Sequence, residues 1–187
     1  MKTFFLLSAV ALLPVVLSTL IYLAEKTKAI SKIPYAVKQI IIGILFGGLA
    51  ILGTEFGVKT DGAIINARDA SPICAGLLFG APAGIIAGVI GGVERWFAVL
   101  WGAGEYTRLA CSISTVLAGV FAAVLRKYMF DDKKPKWYYC LATATITEVI
   151  HMLMIFLTNM TDARTAFSFV RTCSLPMIAV NSLAVML

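Results

Sequence analysis

The sequence predicts an all-α, polytopic membrane helix bundle with six to seven transmembrane segments and a central hairpin broken by glycine and proline. Three observations lead there. Of the 187 residues, 60% are hydrophobic and the mean hydropathy is +0.91, far from a soluble domain. Apolar runs long enough to cross a bilayer alternate with short basic or polar loops. Between residues 66 and 95, Gly76, Gly80, Gly84, Gly88 and Gly92 recur at a strict four-residue step. Small residues at that spacing let helix backbones approach closely in a bilayer, where no hydrophobic force draws helices together.

Residues 3–23 form the first span, apolar but for Pro14 and long enough to cross. A signal peptide would have a shorter core, a small-residue cleavage site and more basic charge before it, so the segment reads as retained. A basic stretch, 24–38, follows with Lys26, Lys28, Lys32 and Lys38 against Glu25. The second span runs from Gln39 to Gly53 or a little beyond, and residues 57–62 form a turn. At Gly80-Ala81-Pro82 a straight helix cannot continue, because proline removes a donor and disfavours helix at the residue before it. The third and fourth spans are therefore the arms of a hairpin, one ending at Phe79 and the other starting near Ala83, closed by Trp101–Glu105. The fifth span covers 107–125 and precedes a basic loop, Arg126–Lys136. The sixth runs from Trp137 to Leu157, Thr158–Arg164 is a polar turn, and the last span extends from Phe167 to Leu187.

Lysine and arginine orient the bundle. Loops 24–38 and 126–136 hold four and five of them and fall on one face of a seven-span arrangement. The positive-inside rule places those loops and the C-terminus in the cytoplasm, in a multi-pass protein of the cytoplasmic (inner) membrane. A re-entrant pair at 62–98 would lower the span count and leave that orientation unchanged. The net charge of +6 comes from loops beside apolar runs, so no nucleic-acid partner is expected; the partner is the lipid bilayer. Cys74, Cys111, Cys140 and Cys173 lie in separate apolar segments without a CxxC pair and read as buried thiols. With a single histidine no metal site is expected, and nothing calls for a cofactor.

Polar groups buried in the spans share one depth. Arg68 and Arg95 each lie thirteen residues from the hairpin turn, about 20 Å of helix on either arm. Counted from the basic ends of their spans, Ser114 and Glu148 lie about 18 Å up and Cys111 and His151 about 22 Å. Arg171 lies one turn inside the outer end of the last span. Two arginines at one level in an apolar bundle cost about 2.5–3.5 kcal/mol each at a helix centre and call for an anion. A salt-bridge network with Asp69, Glu94 or Glu148 would supply one, and Glu148 paired to a single arginine would leave a positive excess. The alternative roles are packing for Cys111 and Ser114, a satisfied interfacial position for His151, and snorkelling to the outer surface for Arg171.

The blocks N-x-R…AGLLFG-x-P-x-G-I-I-A-G-V-I-G-G-x-x-R, C-S-I-S-T-V-L-A-G, TEVIHMLMI and LPMIAVNSL resemble the LytS-type five-transmembrane receptor domain over residues 39–187, with 1–38 a leading helix and basic loop. That resemblance implies the sensory input of a LytS/YehU-type sensor histidine kinase or of a diguanylate cyclase. The domain itself would not be an enzyme. It implies a homodimer signalling to a cytoplasmic output domain that this chain lacks, as a separated or truncated sensor would. The ligand it implies is a small carboxylate such as pyruvate, held by Arg68 and Arg95, with Cys111, Ser114, Glu148 and Arg171 completing the site. A planar guanidinium grips a carboxylate with two parallel hydrogen bonds, which suits such a ligand. The alternative reading is the substrate-binding membrane subunit of a vitamin-type importer, which would need access from both faces.

Overall fold

A computed structural model describes residues 2–27, 32–60, 63–102 and 104–186. Helix α1 is Lys2–Glu25 and α2 is Tyr35–Glu55. A two-stranded antiparallel ribbon follows, β1 Val58–Thr60 paired with β2 Ala63–Ile65. Helix α3, Ala70–Cys74, widens into a π turn at Ala75–Phe79, and α4 is Ala81–Phe97. The bundle continues with α5 Arg108–Tyr128, α6 Trp137–Thr158 and α7 Ala163–Met186. All of these helices except α3 are long and apolar enough to cross a membrane, six in total. The first hairpin arm is thus shorter than a full span, and its outer part is the irregular stretch 66–69 that links the ribbon to α3.

The ribbon was not expected, although Asp61-Gly62 between Val58-Lys59-Thr60 and Ala63-Ile64-Ile65 is a hairpin signal. Residues 61 and 62 of the expected turn lie outside the described residues, as do 28–31 of the first basic stretch and Ala103 of the 101–105 connection. Helix α2 begins at Tyr35, four residues before the expected start at Gln39 and directly after its N-cap, Pro34.

The hairpin break falls at Gly80, whose φ of 148° suits glycine alone. A Cβ there would lie 2.7 Å from Gln39 Oε1 and 2.9 Å from Tyr35 Oη. Helix α4 restarts at Ala81, two residues earlier than the proline suggested. Pro82 fits in a first turn, where its missing N–H has no partner to lose. Gln39 serves both sides of the break: Nε2 donates to Phe79 O (2.9 Å) and Oε1 accepts from Ala83 N (3.1 Å). Arg126 Nη1, at the end of α5, donates to Leu77 O at 2.6 Å. The turn therefore sits at the end of the bundle where α2 starts and α5 finishes.

The glycine step brings three backbones together. A Cβ on Gly84 would come within 2.5 Å of Gly76 Cα and 3.1 Å of Gly119 O. One on Gly88 would meet Thr115 O at 3.0 Å and Gly119 Cα at 3.2 Å. On the other side of α4, Ile86 and Ile90 fill the space left by Gly43 and Gly47 of α2. This close approach of α4 to both α2 and α5 holds the polar residues at the other end of the hairpin in place.

Candidate functional site

At that other end, Arg68 packs its backbone against Gly53 of α2, where any Cβ would fall within 2.7 Å of Arg68 Cα. Asn66 fixes the irregular stretch from within, its Oδ1 accepting from Arg68 N at 3.2 Å. Asn181 of α7 fixes it from outside: Oδ1 accepts from Ala70 N (2.9 Å), while Nδ2 donates to Asn66 O (3.1 Å) and Met177 O (3.0 Å). Non-helical backbone inside a membrane protein must have its polar groups satisfied by protein, and the two asparagines do this.

Arg68 is fully buried. Its Nε donates to Thr115 Oγ1 at 2.7 Å and to Asp69 Oδ1 at 3.2 Å. Its terminal amino groups make only long contacts, Nη1 to Thr54 Oγ1 and Nη2 to Cys111 O, both at 3.4 Å. The guanidinium is thus anchored at its base and loosely held at its tip. Arg95, also buried, donates from Nη2 to Gly104 O (2.7 Å) and Thr107 Oγ1 (3.2 Å) in the connection before α5. The two guanidiniums, both positively charged, oppose each other across the site.

A chain of short contacts crosses from Arg68 to α6. Asp69 Oδ1 also accepts from Thr115 Oγ1 at 2.7 Å, and Asp69 Oδ2 lies 2.8 Å from His151 Nδ1. The other ring nitrogen, His151 Nε2, lies 3.3 Å from Cys111 Sγ. Glu148, one turn before His151, accepts no hydrogen bond on either oxygen and stands 3.7 Å from His151 Nδ1. Asp69, Glu148 and His151 each bring one candidate metal-ligand atom within 4.8 Å of the others. Asp69 has both oxygens engaged, with Arg68, Thr115 and His151.

Of the residues singled out in the sequence, Arg68, Arg95, Cys111 and Glu148 come together. Ser114 is buried next to them in sequence but lines a separate apolar groove between α5 and α6 with Leu117, Phe121, Thr147 and Ile150. Arg171 is exposed on α7. Asp69 and His151, read from the sequence as a counter-ion and an interfacial residue, are the hub of the cluster, and Thr115 joins them. The helical spacing of Glu148 and His151 already put both on one face, and Thr115 lies one turn after Cys111. Asp69 takes the counter-ion role for Arg68, which Glu148 was expected to share, because it adjoins the arginine on the same irregular stretch.

Comparison with known proteins agrees with this architecture. The profile of the family described as 5TMR of 5TMR-LYT matches residues 21–187. The sensor histidine kinase YpdA of Escherichia coli (strain K12) is 26% identical over 169 residues, which cover 90% of this chain and 29% of YpdA. The sensor histidine kinase BtsS of the same strain is 28% identical over 142 residues, 74% of this chain and 24% of BtsS. The sensor protein LytS of Bacillus cereus is 32% identical over 146 residues, 75% of this chain and 23% of LytS. The chain therefore spans less than a third of the length of these relatives. No solved structure matches it significantly.

Proposed function

The chain belongs to the 5TMR-LYT family of membrane sensor domains, and on that premise we propose that it binds a small carboxylate such as pyruvate in the outer half of the bundle and signals to a cytoplasmic histidine kinase or diguanylate cyclase output. The observation that carries the ligand class is the state of Arg68. A guanidinium buried without solvent, held firmly through Nε, keeps its two terminal amino groups on contacts of 3.4 Å, beyond the usual hydrogen-bond range. Those two groups form the face that matches a carboxylate. Arg95 adds a second positive charge beside the same cysteine.

Binding would exchange two long contacts for two short charge-assisted ones and draw the arginine tip toward the ligand. Because Arg68 is tied through Asp69 to His151, and its own stretch through Asn66 and Ala70 to Asn181, that movement reaches α6 and α7. A ligand shifts such an equilibrium only as far as it favours one arrangement over the other. Helix α7 would carry the change toward the cytoplasm, in a homodimer.

Calorimetric titration of pyruvate into the purified protein tests the reading. Arg68→Lys keeps the charge and removes the planar fork. The loss should be about 1.5–3 kcal/mol, on the order of tenfold to a hundredfold in Kd. Equal affinity in wild type and Arg68→Lys would rule out the arginine fork.

A further inference from the structure

We propose that Cys111, His151 and Asp69 form a thiol–imidazole–carboxylate relay that captures an α-keto acid by reversible addition of the Cys111 sulfur to its ketone carbon. The inference rests on the carboxylate-binding reading above and specifies how the ligand is held. Cys111 alone among the four cysteines has an imidazole partner, because His151 is the sole histidine of the chain. A carboxylate only accepts hydrogen bonds, so the 2.8 Å contact to Asp69 Oδ2 places a proton on His151 Nδ1. That leaves Nε2, 3.3 Å from Cys111 Sγ, as the nitrogen that takes the thiol proton. Asp69 is fixed in turn by Arg68 and Thr115. A nucleophile, a base within reach and a third group orienting the base make up the arrangement that activates a weak nucleophile.

The position of the arginines selects the electrophile. Arg68 Nη2 contacts the backbone oxygen of Cys111 itself, so an anion on the arginine tip lies next to this residue. The reactive carbon must therefore be adjacent to the anionic group. In an α-keto acid the ketone carbon is bonded directly to the carboxylate carbon, which meets that requirement. The addition balances without any oxidant or reductant. The S–H proton passes to His151 Nε2, and sulfur forms a bond to the ketone carbon. The C=O π pair moves to oxygen, which takes the proton back from Nε2 to give a neutral thiohemiketal hydroxyl. Reversal of the same steps releases the ligand unchanged, as a sensor requires. Glu148, buried beside the imidazole with no hydrogen bond on either oxygen, is an uncommitted acceptor in this cluster.

The test uses the full chain in lipid nanodiscs with pyruvate labelled with carbon-13 at its ketone carbon, and oxamate as a planar isostere whose carbonyl resists thiol addition. In the wild type the bound ketone resonance should move into the tetrahedral-carbon region, and pyruvate should bind at least about tenfold tighter than oxamate. In Cys111→Ser the bound resonance should remain that of a ketone and the preference over oxamate should vanish, while oxamate binding, which reports a folded site, should persist. Bound pyruvate that stays a ketone in the wild type would overturn the relay and leave the carboxylate site standing. A tetrahedral signal that persists in Cys111→Ser would mark hydration rather than capture and would equally overturn it. Failure of the wild type to bind either acid would overturn both readings.

Discussion

A buried arginine is informative through what its five N–H groups do. In Arg68 the Nε hydrogen is shared between Thr115 and Asp69, and the tip is left on contacts too long to satisfy it. Arginines in apolar segments stand out in a sequence because their cost there is high. Cys111 and Glu148 followed from helical spacing and depth. His151 shared that depth and the helix face of Glu148, but its central role and that of Asp69 did not follow, since a short acid beside an arginine and a lone histidine both have ordinary structural roles. Only the fold could show that residues 69, 111 and 151 meet, because they come from three elements far apart in the chain. Asn181 was invisible for the same reason. It makes three hydrogen bonds from a fully buried position, one to Asn66 in the stretch beside Arg68 and one to Ala70 at the start of α3. Asn181→Leu leaves Ala70 N and Asn66 O without partners, and each buried orphan costs about 1–3 kcal/mol. The variant should melt well below wild type in detergent; an unchanged Tm would show that the stretch is held by other means.

The central hairpin is the element on which the site depends. Its break was legible from Gly80 and Pro82, and its close packing from the four-residue step of glycines. The partners of that step were not legible: Gly119 of α5 meets both Gly84 and Gly88, and its sequence neighbourhood gives no sign of this. The widened turn at 75–79 and the role of Gln39 were equally hidden, because a lone glutamine at the start of an apolar run reads as a boundary residue. Two substitutions probe the element. Gly84→Ala adds one methyl that must displace the backbone of Gly76, so overpacking should cost about 1–3 kcal/mol, whereas Gly48→Ala, which meets nothing within 4 Å, should be neutral or mildly stabilising. Equal thermal stability of the two variants would contradict the packing described. Gln39→Leu should leave Phe79 O and Ala83 N unpaired and loosen the turn, read as faster amide exchange at Ala83 than in wild type. Unchanged exchange there would show that Gln39 is not needed.

For the whole molecule, composition and loop charge defined a multi-pass bundle, and the fold brings the two basic loops to one end. The ammonium of Lys134 lies 4.5 Å from the ring centroid of Tyr22 and 5.5 Å from that of Phe79, so the end of α1, the hairpin turn and the loop after α5 share a face. The opposite end carries the ribbon, the 98–107 connection and the turn at Met160–Asp162. There Asp162 accepts from Thr165 N, and the hydrogen bonds from Thr165 hold its carboxyl below the usual range while it caps α7. Positive-inside orientation predicts that Lys133→Cys resists an impermeant thiol reagent in intact cells while Thr161→Cys reacts, both residues being exposed and the native thiols buried. The reverse pattern would invert the topology and place the arginine cluster on the cytoplasmic side.

Contact between the Arg68 fork and the ligand carboxylate is the central step, and solid-state NMR reads that contact directly. Pyruvate labelled with carbon-13 in its carboxylate, bound to protein carrying nitrogen-15 in its arginine side chains, should show dipolar coupling from that carbon to terminal guanidinium nitrogens. The coupling should weaken sharply in Arg68→Lys, where only Arg95 remains at the site. Bound pyruvate without such coupling in the wild type, or with coupling undiminished in Arg68→Lys, would contradict the account.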